Sequence, residues 1–347
     1  MRPPDAALEL SVIVVAHNGG TMLQDAVAAL QRNTACTEAE VIVVDSGSSD
    51  GSSQRLADGP LPVRVIQCAE NVGFCRGNNL GAEAAHGRLV CFTQPDGQVQ
   101  ERWDVALRSA LDDPGVVAAG GLVLKMGGGE RAGGGGRTRG EERIDSAGIA
   151  IAPNLAAWSV AENLTPAQAG LLDGDPREVV GVSPAFLMTR RSDHRSIGGF
   201  WEKLWLYGDE PDYALRIGRL GTVVLCPQSR MLHLVGGVSG AHQSPLRLYQ
   251  SSRNRLLNIA RHLPARRVPG AVALAAVFDA LQFAQQRNLV SARAVSSGWM
   301  AGLRGMRSAR GLSTPAERSR NVPRLATLRE AVAQQRALGR ASPRRAR

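Results

Sequence analysis

Lysine is nearly absent from this chain of 347 residues, which contains only Lys125 and Lys203. A nucleotidyltransferase needs a lysine or an arginine beside the triphosphate of its substrate, and lysine offers only these two candidates. Aromatic residues are also rare, at 4% of the sequence against 44% hydrophobic residues in total. We therefore expect a core that is filled mainly by aliphatic residues and alanine.

Cysteine pairs and long apolar runs are absent as well. The five cysteines are an odd number and form no Cys-x-x-Cys pair, which disfavours a disulfide framework or a zinc knuckle. No apolar run approaches the ~20 residues of a membrane-spanning helix, and the most apolar stretch, residues 268–278, is followed by Asp279. The first residues lack the apolar centre of a signal peptide. Together these absences predict a reduced, cytoplasmic protein.

Acidic residues are scarce near the C-terminus, and this uneven distribution explains the net charge of +10. Residues 261–347 contain 17 arginines and three acidic residues, a net charge of +14, so residues 1–260 carry −4. An arginine-rich segment attracts nucleic acid, anionic lipid or an acidic substrate. A nucleic-acid-binding protein would explain this segment but not the acidic body of the chain, so we expect no nucleic-acid partner.

What the sequence does contain is a regular alternation of strand-like and helix-like patterns. Apolar, β-rich runs predict strands over residues 11–16, 41–44, 63–67, 116–124 and 222–225, one that starts at residue 89, and a strand or strand pair over residues 179–189. Helical spacing predicts helices over residues 22–31, 77–85 and 101–111 and from residue 246 onward. Residues 126–143 are rich in glycine and predict a flexible insertion. The alternation is typical of the α/β class, with a parallel sheet flanked by helices.

Residues 89–96, Leu-Val-Cys-Phe-Thr-Gln-Pro-Asp, are the most informative stretch. Pro95 cannot donate to a sheet ladder, so the strand must stop there and leave Asp96 at its carboxyl end. Open α/β sheets bind their ligands at the carboxyl ends of strands. Two roles fit Asp96 at this point, namely a metal ligand and a cap of the next helix.

Small and polar residues also follow the other predicted strands. The first strand ends in Ala-His-Asn at residues 16–18, without the Gly-x-Gly-x-x-Gly of a nicotinamide or flavin site. Asp45 ends the second strand, where it can accept hydrogen bonds from a ribose or a base. Asn71 and Gly73 follow the third strand and suit a tight turn. Three such strand ends favour a nucleotide cleft over three unrelated turns.

Three carboxylates, Asp209, Glu210 and Asp212, come at the start of a predicted helix. Acidic residues cap a helix N-terminus and favour its macrodipole, but three within four residues exceed what capping needs. One of them is a candidate general base. His233 ends another short apolar stretch and is either a structural residue or a metal ligand. Trp205 could stack on a sugar or pack in the core.

In their order and spacing, these motifs resemble those of the family 2 inverting glycosyltransferases, particularly the bacterial rhamnosyltransferase-like branch. The resemblance covers roughly residues 9–265. Its motifs are Asn18, Asp45-Ser-Gly-Ser-Ser-Asp50, Asn71-Val-Gly-Phe-Cys-Arg-Gly-Asn-Asn79, Gln94-Pro-Asp96, Gly198-Gly-Phe200, Tyr207-Gly-Asp-Glu-Pro-Asp212, His233, Ser244-Pro-Leu-Arg-Leu-Tyr249 and Arg253-Asn254-Arg255. The family implies a GT-A fold, a mostly parallel, Rossmann-like sheet flanked by helices, here with a C-terminal helical extension.

The resemblance also implies roles for individual residues. The pocket for the donor nucleotide would be formed by Ala16, His17, Asn18, Asp45, Ser46, Asn71, Gly73, Phe74, Arg76, Asn79, Gln94 and Pro95. Asp96 would bind a divalent metal ion, Mg²⁺ or Mn²⁺, that bridges the diphosphate, with His233 as a further ligand or a phosphate contact. Trp205 and Asp212 would lie on the acceptor side.

The acidic pair departs from the family pattern, because the usual Glu-Asp order appears as Asp209-Glu210. By position Glu210 would be the catalytic base, with Asp209 as its rival. Phe200-Trp-Glu202 stands where Phe-Asp-Glu is usual, and Gln94 stands where the family often has asparagine.

The function implied by the resemblance is the inverting transfer of rhamnose or a similar hexose in cell-surface polysaccharide synthesis. The donor would be a dTDP- or UDP-sugar, and the acceptor a glycan or a polyprenyl-linked hydroxyl. Residues 1–262 would form the catalytic domain. Residues 263–347 would form a basic helical extension with a disordered end, which either contacts the anionic cytoplasmic face of the membrane or packs on the catalytic domain. The alternatives are a catalytically lapsed scaffold and a nucleotidyltransferase on a related fold.

Overall fold

The computed structural model describes residues 8–56, 59–126, 142–172, 174–234, 244–286, 289–322, 325–327, 329, 330 and 333, with the side chains of 282–286 excepted. The predicted flexible insertion lies outside the described residues except at its ends, residues 126, 142 and 143. The predicted disordered end, residues 342–347, lies wholly outside them.

Strands and helices alternate over much of the described chain. The strands are β1 Leu10–Ala16, β2 Ala39–Asp45, β3 Val63–Gln67, β4 Leu89–Thr93, β5 Gly97–Val99, β6 Val116–Lys125, β7 Arg143–Ser146, β8 Ile149–Ile151, β9 Ala157–Ser159, β10 Arg177–Val179, β11 Phe186–Arg190 and β12 Thr222–His233. The α-helices are α1 Gly20–Asn33, α2 Gly73–Ala84, α3 Trp103–Ala110, α4 Arg191–Ser196, α5 Asp209–Ile217, α6 Pro245–His262, α7 Val268–Gln286, α8 Leu289–Arg310 and α9 Pro315–Asn321. Short 3₁₀ turns lie at Ser53–Arg55, Glu202–Leu204 and Ala265–Arg267.

Ten of these strands form one sheet. Its main path runs β10-β12-β6-β11-β4-β1-β2-β3, with β5 paired to β12 and β7 paired to β6. The β4-β1-β2-β3 half is parallel throughout, whereas β11 runs antiparallel to both β4 and β6. This mostly parallel sheet with helices between its strands confirms the predicted α/β class.

The centre of the sheet is built from strands that are buried on both faces. Every residue of β2 and β4 is buried, as are all residues of β1 except Val15. Such strands read as continuous apolar runs, which is why the sequence pattern located them. A core cluster that includes residues of β1, β2 and β4 is mainly aliphatic, as expected, with Trp103 and Phe186 as aromatic members.

Helix α2 packs very closely on β1. A Cβ atom at Gly77 would lie 2.6 Å from Val15 Cγ1, and a Cβ atom at Gly81 would clash with Ile13 Cγ2. Side chains at these two helix positions would push α2 away from the sheet. The glycines therefore allow α2, which carries several predicted site residues, to pack directly on β1.

One observed strand is much longer than the strand predicted from the sequence. The strand predicted over residues 222–225 continues to His233, with an irregular register between Cys226 and Arg230 next to Pro227. A proline is tolerated inside a strand at such a bulge, so the strand resumes beyond it. The stretch over residues 179–189, predicted as a strand or a strand pair, contains parts of two strands, because β10 ends at Val179 and β11 begins at Phe186.

The chain divides into two compact units. One comprises the described residues of Met1–Ile149, Ser159–Trp205 and Arg216–Gly240, and it contains the large sheet. The other comprises those of Ala150–Trp158, Leu206–Leu215 and Ala241–Arg347. The division into domains at residue 262, made from the sequence, stays a prediction.

Helices α6 and α8 form the centre of the second unit. Gly302 of α8 lies so close to α6 that a Cβ atom there would be 2.9 Å from the Arg253 carbonyl oxygen. A Cβ atom at Gly298 would likewise meet the Tyr249 carbonyl oxygen. Asp279 of α7 accepts hydrogen bonds from Arg255 of α6 and from Trp299 of α8. None of the helices in the described part of the chain combines the length and the apolar character that crossing a membrane requires.

Candidate functional site

The loops after β1 and β2 are joined by hydrogen bonds. The Asn18 backbone N–H donates to Ser48 Oγ at 2.9 Å, and Asn18 Oδ1 accepts from the Ser49 backbone N–H at 2.9 Å. His17 Nδ1 donates to the Ser46 carbonyl oxygen at 2.8 Å. Asn18 has a φ of 52°, a left-handed conformation that asparagine adopts more readily than most residues. The two loops therefore form one connected surface.

Asp45 stabilises its own loop. It is fully buried, its Oδ1 accepts from the Ser48 backbone N–H at 2.8 Å, and its Oδ2 accepts from the Ser53 hydroxyl. Burial raises the pKa of the Asp45 carboxyl, but the hydrogen bonds from Ser53 and Ser48 outweigh burial, and the pKa is lowered overall. The group is an ionised carboxylate, and its contact with a donor nucleoside stays a prediction.

The loop after β3 is tied to the loop after β2 through Ser46. Ser46 Oγ donates to Asn71 Oδ1 at 3.2 Å and accepts from the Val72 backbone N–H at 2.9 Å. Asn71 Oδ1 also accepts from the Gly73 backbone N–H at 3.0 Å. The loops after β1, β2 and β3 thus share one hydrogen-bond network. The sequence predicted that these three strand ends lie together.

Trp205 packs on the first turn of α2. A Cβ atom at Gly73 would lie 2.5 Å from Cδ1 of the Trp205 ring, and the Cys75 backbone N–H donates to the Trp205 carbonyl at 3.1 Å. Trp205 Nε1 is 3.4 Å from the Asn71 carbonyl oxygen. With a φ of 63°, Trp205 has a strained backbone for a bulky residue. Its ring is therefore held beside the loop after β3.

Two predicted donor residues of α2 hold another loop of the protein. The Asn79 side chain donates to the Phe200 carbonyl at 2.9 Å and accepts from the Phe200 N–H at 2.8 Å. Arg76 Nη1 pairs with Glu202 Oε2 at 3.2 Å, and the Phe74 ring lies edge-on to Phe200. These contacts give Arg76 and Asn79 a structural role, and their donor roles stay predictions.

Asp96 lies between β4 and β5. The strand stops at Thr93, and a turn closed by the Gly97 N–H to the Gln94 carbonyl at 3.1 Å leads into β5. A Cβ atom at Gly19 would lie 3.6 Å from Pro95 Cβ, so this turn contacts the loop after β1. Asp96 is buried. The predicted strand end is therefore followed by a tight turn between two strands, and Asp96 is the third residue of this turn.

His233 lies between two carboxylates at the end of β12. Its Nδ1 donates to Asp145 Oδ2 at 2.8 Å, and its Nε2 is 3.6 Å from Asp96 Oδ2. Burial lowers the pKa of His233, but the hydrogen bonds and charges of Asp145 and Asp96 raise it to about 9. The structure thus brings together the two residues that the sequence predicted as metal ligands.

The chemistry of this pair fits a divalent cation. Mg²⁺ and Mn²⁺ take oxygen ligands, keep several waters and need only one or two carboxylates, and a metal-bound histidine commonly donates its other ring N–H to a carboxylate. Asp96 supplies the carboxylate, His233 supplies the histidine, and Asp145 is the carboxylate that accepts from the other ring nitrogen of His233. No group of three or more His, Cys, Asp or Glu side chains in the described residues converges as a ready-made metal site.

The acidic cluster at the start of α5 contains three different environments. Asp209 is 6% exposed, and burial, with the charges of Glu210 and Asp212, raises its pKa to about 7. Glu210 is half-buried. Asp212 is 1% exposed and accepts from Arg261 Nη1 and His262 Nε2, each at 2.8 Å. These contacts fix Asp212 in a structural network, and its acceptor-side role stays a prediction.

The turn before α5 is held by side-chain amides of α6. Asn254 Nδ2 donates to the Leu206 and Tyr207 carbonyls at 3.1 and 2.7 Å, and Asn258 Nδ2 donates to the Gly208 carbonyl at 2.7 Å. Tyr207 and Gly208 both have positive φ angles. The two asparagines, one helical turn apart, thus stabilise the strained turn that carries Asp209 and Glu210.

Sequence reasoning missed several of these residues. Asn258 could have been found from its spacing of four residues after Asn254, which puts both amides on one helix face. Nothing in the sequence marks Asp145, which follows the glycine-rich segment, as a partner of His233. His262 has no metal-ligand spacing in the sequence, and in the structure it forms a hydrogen bond with Asp212.

Comparison with known proteins identifies related sequences. The family model described as Glycosyl transferase family 2 matches residues 11–198, more than half of the chain. The chain is also 25% identical over 233 residues to the O-antigen biosynthesis protein RfbC of Myxococcus xanthus, a match that covers 65% of this chain and 17% of that protein. The chain spans less than a quarter of the length of the curated relatives that it matches.

Solved structures share the fold. Residues 1–349 of TarS from S. aureus, in complex with UDP-GlcNAc, superpose with a TM-score of 0.54 at 15% identity, over 94% of this chain and 92% of that chain. The mannosyltransferase PcManGT from Pyrobaculum calidifontis, in complex with GDP-Man and Mn²⁺, gives a TM-score of 0.50 at 17% identity, over 99% of this chain and 85% of that chain. At these identities the likeness shows a common GT-A fold.

Proposed function

Because this chain belongs to glycosyl transferase family 2, we propose that it is an inverting glycosyltransferase that moves a hexose from a nucleoside-diphosphate sugar to an acceptor hydroxyl. The observation that carries the proposal is the hydrogen-bond network that joins the loops after β1, β2 and β3. These loops follow the carboxyl ends of parallel strands, where open α/β sheets bind nucleotides.

The proposed donor sugar is rhamnose or a similar hexose carried on dTDP or UDP, and the proposed acceptor is a glycan or a polyprenyl-linked hydroxyl. The motifs that resemble the rhamnosyltransferase-like branch support this choice. RfbC is named as an O-antigen biosynthesis protein, and the TarS and PcManGT structures contain UDP-GlcNAc and GDP-Man. These likenesses support a role in the synthesis of a cell-surface polysaccharide.

In the proposed reaction a carboxylate accepts the proton of the acceptor hydroxyl as its oxygen attacks the anomeric carbon. The new C–O bond forms while the bond from that carbon to the diphosphate oxygen breaks, so the nucleoside diphosphate leaves and the configuration inverts. Glu210 is the proposed base by its position in the motif. Asp209 is its rival, because a pKa of about 7 suits a base that works near neutral pH.

Asp96 and His233 are the proposed ligands of Mg²⁺ or Mn²⁺. When bound, the ion would neutralise charge that develops on the diphosphate leaving group. Asp96 contributes an oxygen from the turn between β4 and β5, and His233 contributes a ring nitrogen from the end of β12. The PcManGT structure, which contains Mn²⁺, supports this part of the proposal.

A calorimetric panel of nucleoside-diphosphate sugars, each with and without Mn²⁺, tests the proposal. We expect one donor, dTDP-rhamnose or a UDP-hexose, to bind more tightly when Mn²⁺ is present, and the same donor to be consumed when acceptor is added. Donor binding without hydrolysis or transfer would identify a catalytically lapsed scaffold. Release of pyrophosphate from a nucleoside triphosphate would identify a nucleotidyltransferase.

We further propose that the C-terminal helices contact an anionic membrane surface at its cytoplasmic face, where lipid-linked acceptors lie. Arg266 and Arg267 are exposed just before α7, and α7 itself exposes Val277 and Leu281. Apolar side chains next to arginines are typical of helices that lie in a membrane interface. The full-length protein should float with vesicles that contain phosphatidylglycerol but not with phosphatidylcholine alone, and Arg266→Glu with Arg267→Glu should abolish flotation.

A further inference from the structure

Asp145 lies at an irregularity of the sheet. Strand β7 pairs with β6 so that Ile144 lies opposite Leu124 and Ser146 lies opposite Val123. Asp145 is therefore the extra residue of a β-bulge, without a partner of its own on β6. Bulges redirect side chains and are common beside active sites. Here the bulge brings the Asp145 carboxylate to His233.

The Asp145 carboxylate contacts groups on both sides. Its Oδ2 accepts from His233 Nδ1 at 2.8 Å, and its Oδ1 lies 3.8 Å from Lys125 Nζ. Lys125 is fixed in turn, because its Nζ donates to Glu162 Oε1 and Asn163 Oδ1, each at 2.9 Å. Lys125 is also the register partner of His233 across β6 and β12. A fixed ammonium group thus orients the carboxylate that orients the imidazole.

We propose that Asp145 is a positioning residue, which holds the His233 ring so that Nε2 faces the metal site at Asp96. This inference rests on the proposed function, since it assigns a residue to the metal site of that reaction. The imidazole can rotate about its Cβ–Cγ bond, and only one ring orientation directs Nε2 toward Asp96 Oδ2, 3.6 Å away. A hydrogen bond from Nδ1 to a carboxylate selects that orientation and increases the basicity of Nε2.

Mn²⁺ binding to the full-length protein tests the inference without an activity assay. Free Mn²⁺ is counted by electron paramagnetic resonance as Mn²⁺ is titrated into the protein, alone and with UDP. We expect Asp145→Ala and Asp145→Asn to bind Mn²⁺ ~10–100-fold more weakly than the wild type, the usual effect of losing such a carboxylate. Asp145→Glu, which keeps the carboxylate, should recover part of the affinity.

Asp193→Asn is the matched control. Asp193 is exposed to a similar degree, with 24% of its side chain accessible against 20% for Asp145, and it also accepts from a basic side chain, Arg190 at 3.1 Å. This variant should bind Mn²⁺ as the wild type does. Thermal unfolding of each variant, followed by circular dichroism, shows whether a loss of Mn²⁺ binding reflects a loss of folding.

The possible outcomes separate the two proposals. Wild-type Mn²⁺ affinity in a folded Asp145→Ala variant overturns the positioning role and leaves the metal site standing. A wild type that binds no Mn²⁺, with or without UDP, overturns the metal site and the inference together.

If the substitutions unfold the protein, ¹⁵N NMR of the histidine rings in the wild type tests the inference instead. The expected result is a His233 ring that keeps its proton on Nδ1 while Nε2 shifts as metal and UDP are added, and a shift of Nδ1 instead contradicts the inference.

Discussion

His262 donates from Nε2 to the Asp212 carboxylate at 2.8 Å, and its other ring nitrogen, Nδ1, accepts from the Asn321 side chain at 3.1 Å. The His262 ring thus links the Asp212 carboxylate to the Asn321 side chain. Arg261 adds a second donor to the same carboxylate oxygen, and all four side chains are buried. The first turn of α5 is thereby anchored to α6 and α9, close in sequence to the candidate base.

Asp212→Ala should destabilise the protein strongly. The substitution leaves the Arg261 guanidinium buried without its carboxylate, and breaking a buried ion pair in this way costs ~3–5 kcal/mol. Urea unfolding followed by circular dichroism measures the loss. Asp112→Ala is the control, since 72% of the Asp112 side chain is exposed in its pair with Arg88 and such pairs contribute at most ~1 kcal/mol. Equal losses for both variants would contradict a structural role for the Asp212 network.

Glu210→Gln should abolish sugar transfer while donor binding survives. The amide keeps the size of the side chain but cannot accept a proton from the acceptor, and general bases contribute ~10²–10⁴-fold to the rate. Transfer is measured as release of nucleoside diphosphate with acceptor present, and donor binding is measured by calorimetry. Asp209→Asn is the paired variant. If it loses transfer and Glu210→Gln does not, Asp209 is the base.

Asp209→Asn should stabilise the protein at pH 8 more than at pH 4. The pKa of Asp209 is raised to about 7, mainly by burial, so the folded state holds a proton that the unfolded state releases above its ordinary pKa of 3.8. Stability is therefore lost as pH rises from about 4 to about 7, by at most ~4 kcal/mol, and stays low above that range. Thermal unfolding at the two pH values measures the difference, with the exposed Asp25→Asn as control. A Tm gain that is the same at both pH values would contradict the buried, neutral carboxyl.

The sequence was most informative where structure depends on local pattern. β1, β2 and β4 each contain a run of four or five apolar residues because they are buried on both faces, and such runs are visible without any knowledge of their neighbours. The extension of β12 past Pro227 was not visible, because a bulge depends on the partner strand β6. The same holds for Asp145, whose position follows from its register with β6 and not from its own sequence.

In the candidate site, too, the sequence located the residues that depend on local pattern and missed the contacts that depend on distant parts of the chain. The turn residues Asn18, Asn71 and Gly73 were found because they follow the ends of predicted strands. The environment of a carboxylate depends on distant helices, and the sequence could not separate buried Asp209 from half-buried Glu210. Nor could it predict that Asp212 would pair with Arg261 and His262, about fifty residues further along the chain.

Gly73→Ala should destabilise the protein through a contact with Trp205. Gly73 has a φ of +79°, and an added Cβ would lie 2.5 Å from Trp205 Cδ1. The left-handed conformation costs an alanine ~1–2 kcal/mol, and forcing a methyl group against the indole adds ~1–3 kcal/mol. Urea unfolding measures the sum. Gly20→Ala is the matched control, because Gly20 also has a positive φ, +52°, but has nothing within 4 Å of its added Cβ.

A double-mutant cycle isolates the contact with the indole. In a Trp205→Ala background the ring is gone, so Gly73→Ala should cost no more than Gly20→Ala does in the wild type, and the two substitutions should show a coupling of ~1–3 kcal/mol. Because Asn71 and Ser46 hydrogen-bond in the same loop, Gly73→Ala alone should also weaken donor binding in calorimetry. An unchanged cost of Gly73→Ala in the Trp205→Ala background would mean that backbone strain, and not the ring, requires glycine at this position.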